Sequence, residues 1–97
     1  MDVTNANFKE FISKGKVVID FWAPWCGPCR ALGPIIEEVC KNNNVKLGKV
    51  NVDEEMELAM QFNVQSIPYV VKFIDGEVVD YFIGLKNEAA VEEFINK

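Results

Sequence analysis

The sequence contains no histidine, only three cysteines and a single arginine, Arg30. Without histidine, neither a Ser–His or Cys–His catalytic pair nor a histidine-containing metal site can form. Three cysteines are too few for a four-cysteine zinc site within one chain or for a disulfide scaffold, and one of them must stay unpaired. We therefore expect no metal site and no bound cofactor.

Basic residues and long apolar runs are also scarce. Ten Lys plus Arg stand against 15 Asp plus Glu, for a net charge of −5, and this balance argues against nucleic acid as a partner. No stretch approaches the ~20 apolar residues of a membrane span, and residues 1–7 lack the features of a signal peptide. We expect a monomer that does not bind membranes and diffuses freely in the reducing cytoplasm.

What is present predicts one α/β domain over residues 1–97, of which 49% are hydrophobic. After a short first helix, residues 16–22 read as a buried central strand, because both faces are apolar except at Asp20. A helix follows over about residues 28–43, then a strand over 45–52, and Asp53 is the predicted cap of the next helix.

The second half changes character. Asp75-Gly76 separates two strand-like runs, which predicts a β-hairpin. Asn87 is the predicted cap of a last amphipathic helix. Parallel strands followed by a hairpin predict a mixed sheet with helices on both faces.

Cys26-Gly27-Pro28-Cys29, between the first strand and the long helix, is the most informative segment. Two thiols at this spacing can form half a metal site, stabilise a turn through a structural disulfide, or cycle between dithiol and disulfide. The first cysteine lies at or just before a helix N-terminus, where backbone N–H groups and the helix dipole favour a thiolate. A C-x-x-C pair beside a βα unit therefore favours the redox interpretation.

The nine residues 21–29, Phe-Trp-Ala-Pro-Trp-Cys-Gly-Pro-Cys, resemble the active-site signature of the thioredoxin family. Ile67-Pro68 is similar to that family's cis-proline dipeptide, and Pro34 to the kink in its active-site helix. Asp20 matches its buried acid, Lys49 the lysine near that acid, and Gly84 the glycine of its binding groove. The resemblance covers about residues 4–97.

The resemblance implies a thioredoxin fold and two departures from the family pattern. Family members usually begin with an additional strand, whereas Met1-Asp2-Val3 is at most a stub, so we expect four strands, with five as the alternative. Tyr69 follows the proline where the family often has threonine, and this phenol could narrow or re-specify the groove.

The resemblance also implies a protein-disulfide reductase with a redox-active disulfide. Cys26 would be the nucleophile and Cys29 the resolving thiol, with Asp20 as proton acceptor, Lys49 tuning Asp20, and Pro68 as the cis-proline. A buried structural ion pair of Asp20 with Lys49 is the alternative to their catalytic role. The implied partners are a thioredoxin reductase upstream and disulfide-containing client proteins. A glutaredoxin-like or isomerase-like oxidoreductase, a redox-silent binding module and a metal-cluster scaffold assembled between chains remain as alternatives.

The remaining candidates concern docking and a third thiol. The predicted apolar docking surface comprises Trp25, Gly27, Pro28, Ile67, Ile83 and Gly84, although ordinary packing would equally explain Trp25 and Ile83. Cys40 lies on the apolar stripe of the long helix and is predicted to be a buried, inert thiol, with a regulatory thiol or an intermolecular disulfide site as the alternative. The acidic pairs and runs, Glu37-Glu38 and residues 53–57, are expected to be a solvated surface.

Overall fold

The computed structural model describes residues 1–97 and contains four strands and four helices. The strands are β1 (Lys16–Trp22), β2 (Lys46–Asn51), β3 (Tyr69–Ile74) and β4 (Glu77–Ile83). The helices are α1 (Phe8–Phe11), α2 (Gly27–Asn42), α3 (Met56–Gln61) and α4 (Glu88–Asn96). None of them combines the length and apolar character that a membrane crossing requires. The predicted order of elements is confirmed, with bounds shifted by about one residue at α2 and β2.

The strands form one mixed sheet in the order β2-β1-β3-β4. β2 runs parallel to β1, whereas β3 runs antiparallel to both β1 and β4. Asp75 and Gly76 connect β3 to β4 with φ values of 50° and 88°, the left-handed conformation that two-residue hairpin turns require. The predicted mixed sheet and hairpin are confirmed.

Helices cover both faces of this sheet and create two hydrophobic cores. Phe8 and Phe11 of α1 and Leu58 of α3 pack on one face, together with alternate β1 residues. Helices α2 and α4 pack on the other face around Val18 of β1. Because successive strand residues point to opposite faces, Asp20 lies on the same face as Val18, beneath the α2–α4 layer. The position of the acid is thus fixed by the alternation along β1.

The amino-terminal segment is a stub rather than a fifth strand. The Val3 amide donates to the Lys49 carbonyl and the Lys49 amide donates to the Met1 carbonyl, both at 2.8 Å. These bonds form one isolated bridge beside β2. A Cβ atom on Gly48 would lie 2.5 Å from Val3 Cγ2 and 2.6 Å from Phe11 Cε2. Glycine at this position therefore lets the stub and α1 pack closely over β2.

Both side-chain helix caps expected from the sequence can be compared with the structure. The Asn87 side chain accepts from the Ala90 amide at 2.8 Å, so the predicted cap of α4 is confirmed. The predicted Asp53 cap is wrong, because α3 begins at Met56 with Glu55 at the N-cap position and no side-chain cap. The Asp53 amide instead donates to Asn51 Oδ1 at 2.9 Å, which keeps Asp53 within the turn that follows β2.

Candidate active site

The Cys26–Cys29 pair lies where β1 leads into α2. Cys26 is the N-cap residue of α2, Cys29 lies in its first turn, and the two side chains form a disulfide. The predicted position of Cys26 at the helix N-terminus is confirmed. The Cys29 amide donates toward Cys26 Sγ with an N–S distance of 3.2 Å. In the reduced protein, this N–H group and the helix dipole favour a thiolate on Cys26.

Exposure alone does not separate the two cysteines. Cys26 is 5% exposed and Cys29 is 3% exposed, so both are buried. The structure separates them by their surroundings, because Cys26 Sγ lies 3.8 Å from the carbonyl oxygen of Ile67, at the end of the loop before β3. Cys26 is thus the sulfur next to this loop, and Cys29 is the sulfur carried inside the helix.

The loop beside Cys26 presents unpaired backbone. The Ile67–Pro68 peptide bond is cis, and Ile67 forms no hydrogen bond with another backbone group, although its carbonyl oxygen lies next to Cys26 Sγ. The Pro68 carbonyl accepts from the Gly84 amide at 2.8 Å. Gly84 has φ of 94°, a value that glycine adopts without steric cost. Gly84 therefore supports the loop from the end of β4, while the Ile67 backbone stays open to a partner.

Apolar side chains around this loop are exposed. Trp25 is 70% exposed and Ile83 is 48% exposed, so neither side chain is packed in a core, and their docking role stays a prediction. Gly27 and Pro28 are exposed as well, whereas Ile67 is half-buried. Apolar surface beside unpaired backbone is the arrangement to which an extended peptide segment can bind.

Trp25 has a polar partner that the sequence analysis missed. Its indole Nε1 donates to Asp53 Oδ2 at 2.9 Å. The signal was the position of Asp53 after β2, because the carboxyl ends of the parallel strands β1 and β2 meet at the same edge of the sheet. The acid predicted as a helix cap instead orients the exposed indole next to the disulfide.

Tyr69, the departure after the proline, is held by aromatic neighbours on the α1–α3 face. Its ring stacks on Tyr81 of β4 at 5.6 Å and meets Phe21 edge-on at 6.0 Å. Such pairs stabilise beyond the area they bury. The ring is thereby fixed beside Ile83, its cross-strand partner, and an effect of Tyr69 on partner preference stays a prediction.

Asp20 is a buried carboxyl group without a hydrogen-bonding partner. The residue is 1% exposed, and neither carboxylate oxygen has a partner within the chain. The pKa of Asp20 is raised from 3.8 to about 6 as the net result of three causes: burial raises it most, the Lys49 charge lowers it, and the Glu37 charge raises it. A carboxyl group with this pKa is mostly ionised at neutral pH and can still accept a proton there.

The lysine predicted near Asp20 has a different direct partner. Lys49 stands opposite Asp20 in the β1–β2 register, but its Nζ bonds to Glu37 Oε2 at 2.8 Å. The Glu37 side chain is nevertheless 55% exposed, so the expectation that Glu37-Glu38 lies on a solvated surface is confirmed, and only the ion pair with Lys49 is new. No local sequence signal could pair residues 37 and 49, because only the packing of α2 on β2 brings them together. Glu38 has no such partner and faces solvent.

Cys40 is buried and unpaired. Burial, with a smaller contribution from the Asp20 charge, raises the pKa of its thiol from 9.0 to about 12. Because the thiolate is the reactive species, such a thiol is inert near neutral pH. These properties agree with the predicted inert thiol.

The comparisons with known proteins agree with this geometry. The family model described as Thioredoxin matches residues 1–97. A thioredoxin from Bacillus subtilis is 42% identical over 96 residues, covering 97% of this chain and 92% of that protein. One from Chlamydia caviae is 43% identical over 96 residues, covering 98% and 94%.

Among solved structures, a mutant thioredoxin from Halobacterium salinarum superimposes with a TM-score of 0.93 at 34% identity. The match covers 99% of this chain and 87% of that one. The four-stranded mixed sheet with flanking helices is therefore the thioredoxin fold.

Proposed function

Because this chain belongs to the thioredoxin family and is a thiol–disulfide oxidoreductase, we propose that it is a protein-disulfide reductase. In this proposal, the Cys26/Cys29 pair carries two electrons from a reductase to client proteins. The observation that carries the proposal is the Cys26 sulfur at the α2 N-terminus, 3.8 Å from the backbone of a loop that is open to a partner.

The reaction is two successive thiol–disulfide exchanges. The Cys26 thiolate attacks one sulfur of the client disulfide, forms a mixed disulfide, and releases the other client sulfur as a thiolate that takes up a proton. The Cys29 thiol then loses its proton and attacks Cys26 Sγ, which releases the second client sulfur. The client gains two electrons and two protons, and the protein is left with its Cys26–Cys29 disulfide.

Asp20 is the proposed acceptor of the Cys29 proton. Its carboxyl group lies beneath α2 on the face of β1 that this helix covers, and a pKa of about 6 suits proton uptake near neutral pH. Because neither carboxylate oxygen accepts another hydrogen bond, the group is free to accept this proton.

Client binding is proposed at the loop around Pro68. An extended client segment would pair with the free Ile67 backbone as an added strand, while its side chains contact the apolar surface. That surface comprises Trp25, Gly27, Pro28, Ile67, Ile83 and Gly84. The exposure of Trp25 and Ile83 supports the proposal.

The electrons are proposed to come from a separate donor, since the sequence contains no flavin or nicotinamide motif. We take a thioredoxin reductase as the upstream donor and the cytoplasm as the compartment, with the chain acting as a monomer. An assay that couples insulin reduction either to a thioredoxin reductase or to glutathione tests the donor. Turnover with the reductase is expected, and turnover with glutathione alone would contradict the assignment.

Trapping of mixed disulfides tests the assignment of the two cysteines. The Cys29→Ser variant is expected to accumulate covalent complexes with disulfide-containing clients, because Cys26 attacks and nothing resolves the product. The Cys26→Ser variant should accumulate few, and Cys40→Ser, a matched control, should behave like the unaltered protein. Complexes are counted on non-reducing gels and identified by mass spectrometry. Equal trapping by the first two variants would refute the roles given to Cys26 and Cys29.

A further inference from the structure

The ion pair between Glu37 and Lys49 lies next to the proposed proton acceptor. Lys49 is the direct neighbour of Asp20 across the β1–β2 ladder. Its ammonium nevertheless bonds to Glu37 on α2 at 2.8 Å, and Asp20 keeps both oxygens unpaired. A buried carboxylate next to an ammonium is expected to form an ion pair with it. Asp20 and Lys49 do not form one, and the surroundings of Lys49 explain why.

The position of the ammonium is fixed from three sides. Glu37 holds it by a charge-assisted bond, and the Trp22 ring lies 5.4 Å from Lys49 Nζ. Gly33 lies on the third side, where a Cβ atom would be 3.4 Å from Nζ and 3.8 Å from the Glu37 carboxylate. The missing side chain of Gly33 leaves the space in which the pair lies against α2. The Lys49 side chain is 22% exposed and the Glu37 side chain is 55% exposed, so the ammonium is partly shielded from solvent while the carboxylate that holds it lies at the surface.

We propose that Glu37 is a positioning residue for proton transfer at the dithiol, because its carboxylate holds the Lys49 ammonium on α2 and away from a direct ion pair with Asp20. This inference rests on the proposed function, in which Asp20 takes the Cys29 proton. A carboxylate paired directly with an ammonium would be a weaker base. Glu37 would thus keep Asp20 basic enough to accept a proton near neutral pH.

The other groups around Asp20 do not provide this control. From α2 the titratable groups are Glu37, the Cys40 thiol and, after reduction, the Cys26/Cys29 pair. From β2 the charged group opposite is Lys49, and from β3 the residue opposite is the apolar Val70. The buried Lys72 of β3 stands opposite Val18 on the same face, but its ammonium donates to the Phe94 carbonyl of α4.

The charges of Lys49 and Glu37 shift the pKa of Asp20 in opposite directions, as their positions predict. Apart from burial, the charges that move the pKa of Asp20 are those of Lys49, which lowers it, and Glu37, which raises it. Removing the Glu37 charge would therefore act twice in the same direction. The raising influence would disappear, and Lys49 would be free to approach Asp20.

The test is a titration of the Asp20 carboxyl carbon by ¹³C NMR in the oxidised protein. Glu37→Gln should lower the pKa of Asp20 by about half a unit or more. Glu38→Gln is the matched control, because it removes the same charge from the adjacent exposed residue, which has no contact with Lys49, and it should leave the pKa nearly unchanged. Glu37→Asp, which keeps the charge, should restore most of the original value. Equal pKa values in Glu37→Gln and Glu38→Gln would overturn the proposal.

A second pair of variants tests whether Glu37 acts through Lys49. In a Lys49→Gln background, Glu37→Gln should shift the Asp20 pKa much less than it does in the unaltered protein. An undiminished shift would mean that Glu37 acts only by direct repulsion, which would also overturn the proposal.

These titrations need neither client nor reductase, so their outcome is independent of whether the chain reduces proteins. If the protein is the proposed reductase, the pH dependence of its single-turnover rate with a disulfide client should move in Glu37→Gln with the Asp20 pKa. If client reduction fails altogether while the titrations behave as expected, the proposed function is wrong and the positioning of Lys49 stands.

Discussion

Replacing Asp20 with asparagine should stabilise the protein at neutral pH while slowing its reaction. The pKa of Asp20 is raised, so the folded state binds this proton more tightly than the unfolded state. The stability contributed by the proton is present in full below about pH 4 and is lost as the pH rises to about pH 6. Above that pH the fold carries a buried charge without a hydrogen bond. The shift from 3.8 to about 6 corresponds to about 3 kcal/mol.

Asparagine has nearly the same shape as the neutral acid and cannot ionise. Asp20→Asn should therefore match the unaltered protein near pH 4 and exceed its free energy of unfolding by up to about 3 kcal/mol near pH 7. Urea unfolding of the oxidised proteins across this range measures the difference between the two curves. Effects of titrating groups that do not interact with Asp20 cancel in that difference, since both proteins share them.

The same variant should resolve mixed disulfides more slowly, because the Cys29 proton loses its proposed acceptor. Stopped-flow measurement of client release separates this step from the initial attack by Cys26. Asp2→Asn, which removes a charge at an exposed position, is the control for both assays. A stability difference that does not change between pH 4 and pH 7 would refute the reasoning on the Asp20 charge. Unchanged client release would refute its role as proton acceptor.

Two further predictions concern packing and the third thiol. Gly48→Ala should reduce the free energy of unfolding by about 1–3 kcal/mol, because the added methyl group would lie 2.5 and 2.6 Å from core side chains. Urea unfolding measures this loss. Gly27→Ala is the control and should cost far less, because nothing lies within 4 Å of a Cβ atom there. Cys40 should be alkylated in the reduced, folded protein at least about a hundredfold more slowly than Cys26, because burial raises the pKa of its thiol to about 12. Mass spectrometry of peptides from a timed alkylation measures both rates, and comparable rates would show that Cys40 is accessible.

Much of the fold could be predicted because its signals are local. Asp75-Gly76 defines the hairpin through a turn that needs left-handed backbone, and Asn87 starts α4 through a bond to an amide three residues away. The apolar faces of β1 indicated a strand covered on both sides. Asp53 was wrongly predicted to be a helix cap because that prediction also used only local signals. An acid before a helical run is a cap by local rules, yet here its partner is Trp25, 28 residues away.

The candidate site divides in the same way. The sequence alone determined the two cysteines, their place at a helix N-terminus and the buried acid, because each depends on short-range spacing and on alternation along one strand. Only the tertiary structure decided that the free backbone of Ile67 lies next to Cys26, and that the Lys49 ammonium is held by Glu37 rather than by Asp20. These contacts join residues that are distant in the chain, and the packing of α2 and the sheet fixes them. The physical reason is that charges and hydrogen bonds depend on distances in space, which local sequence patterns do not specify.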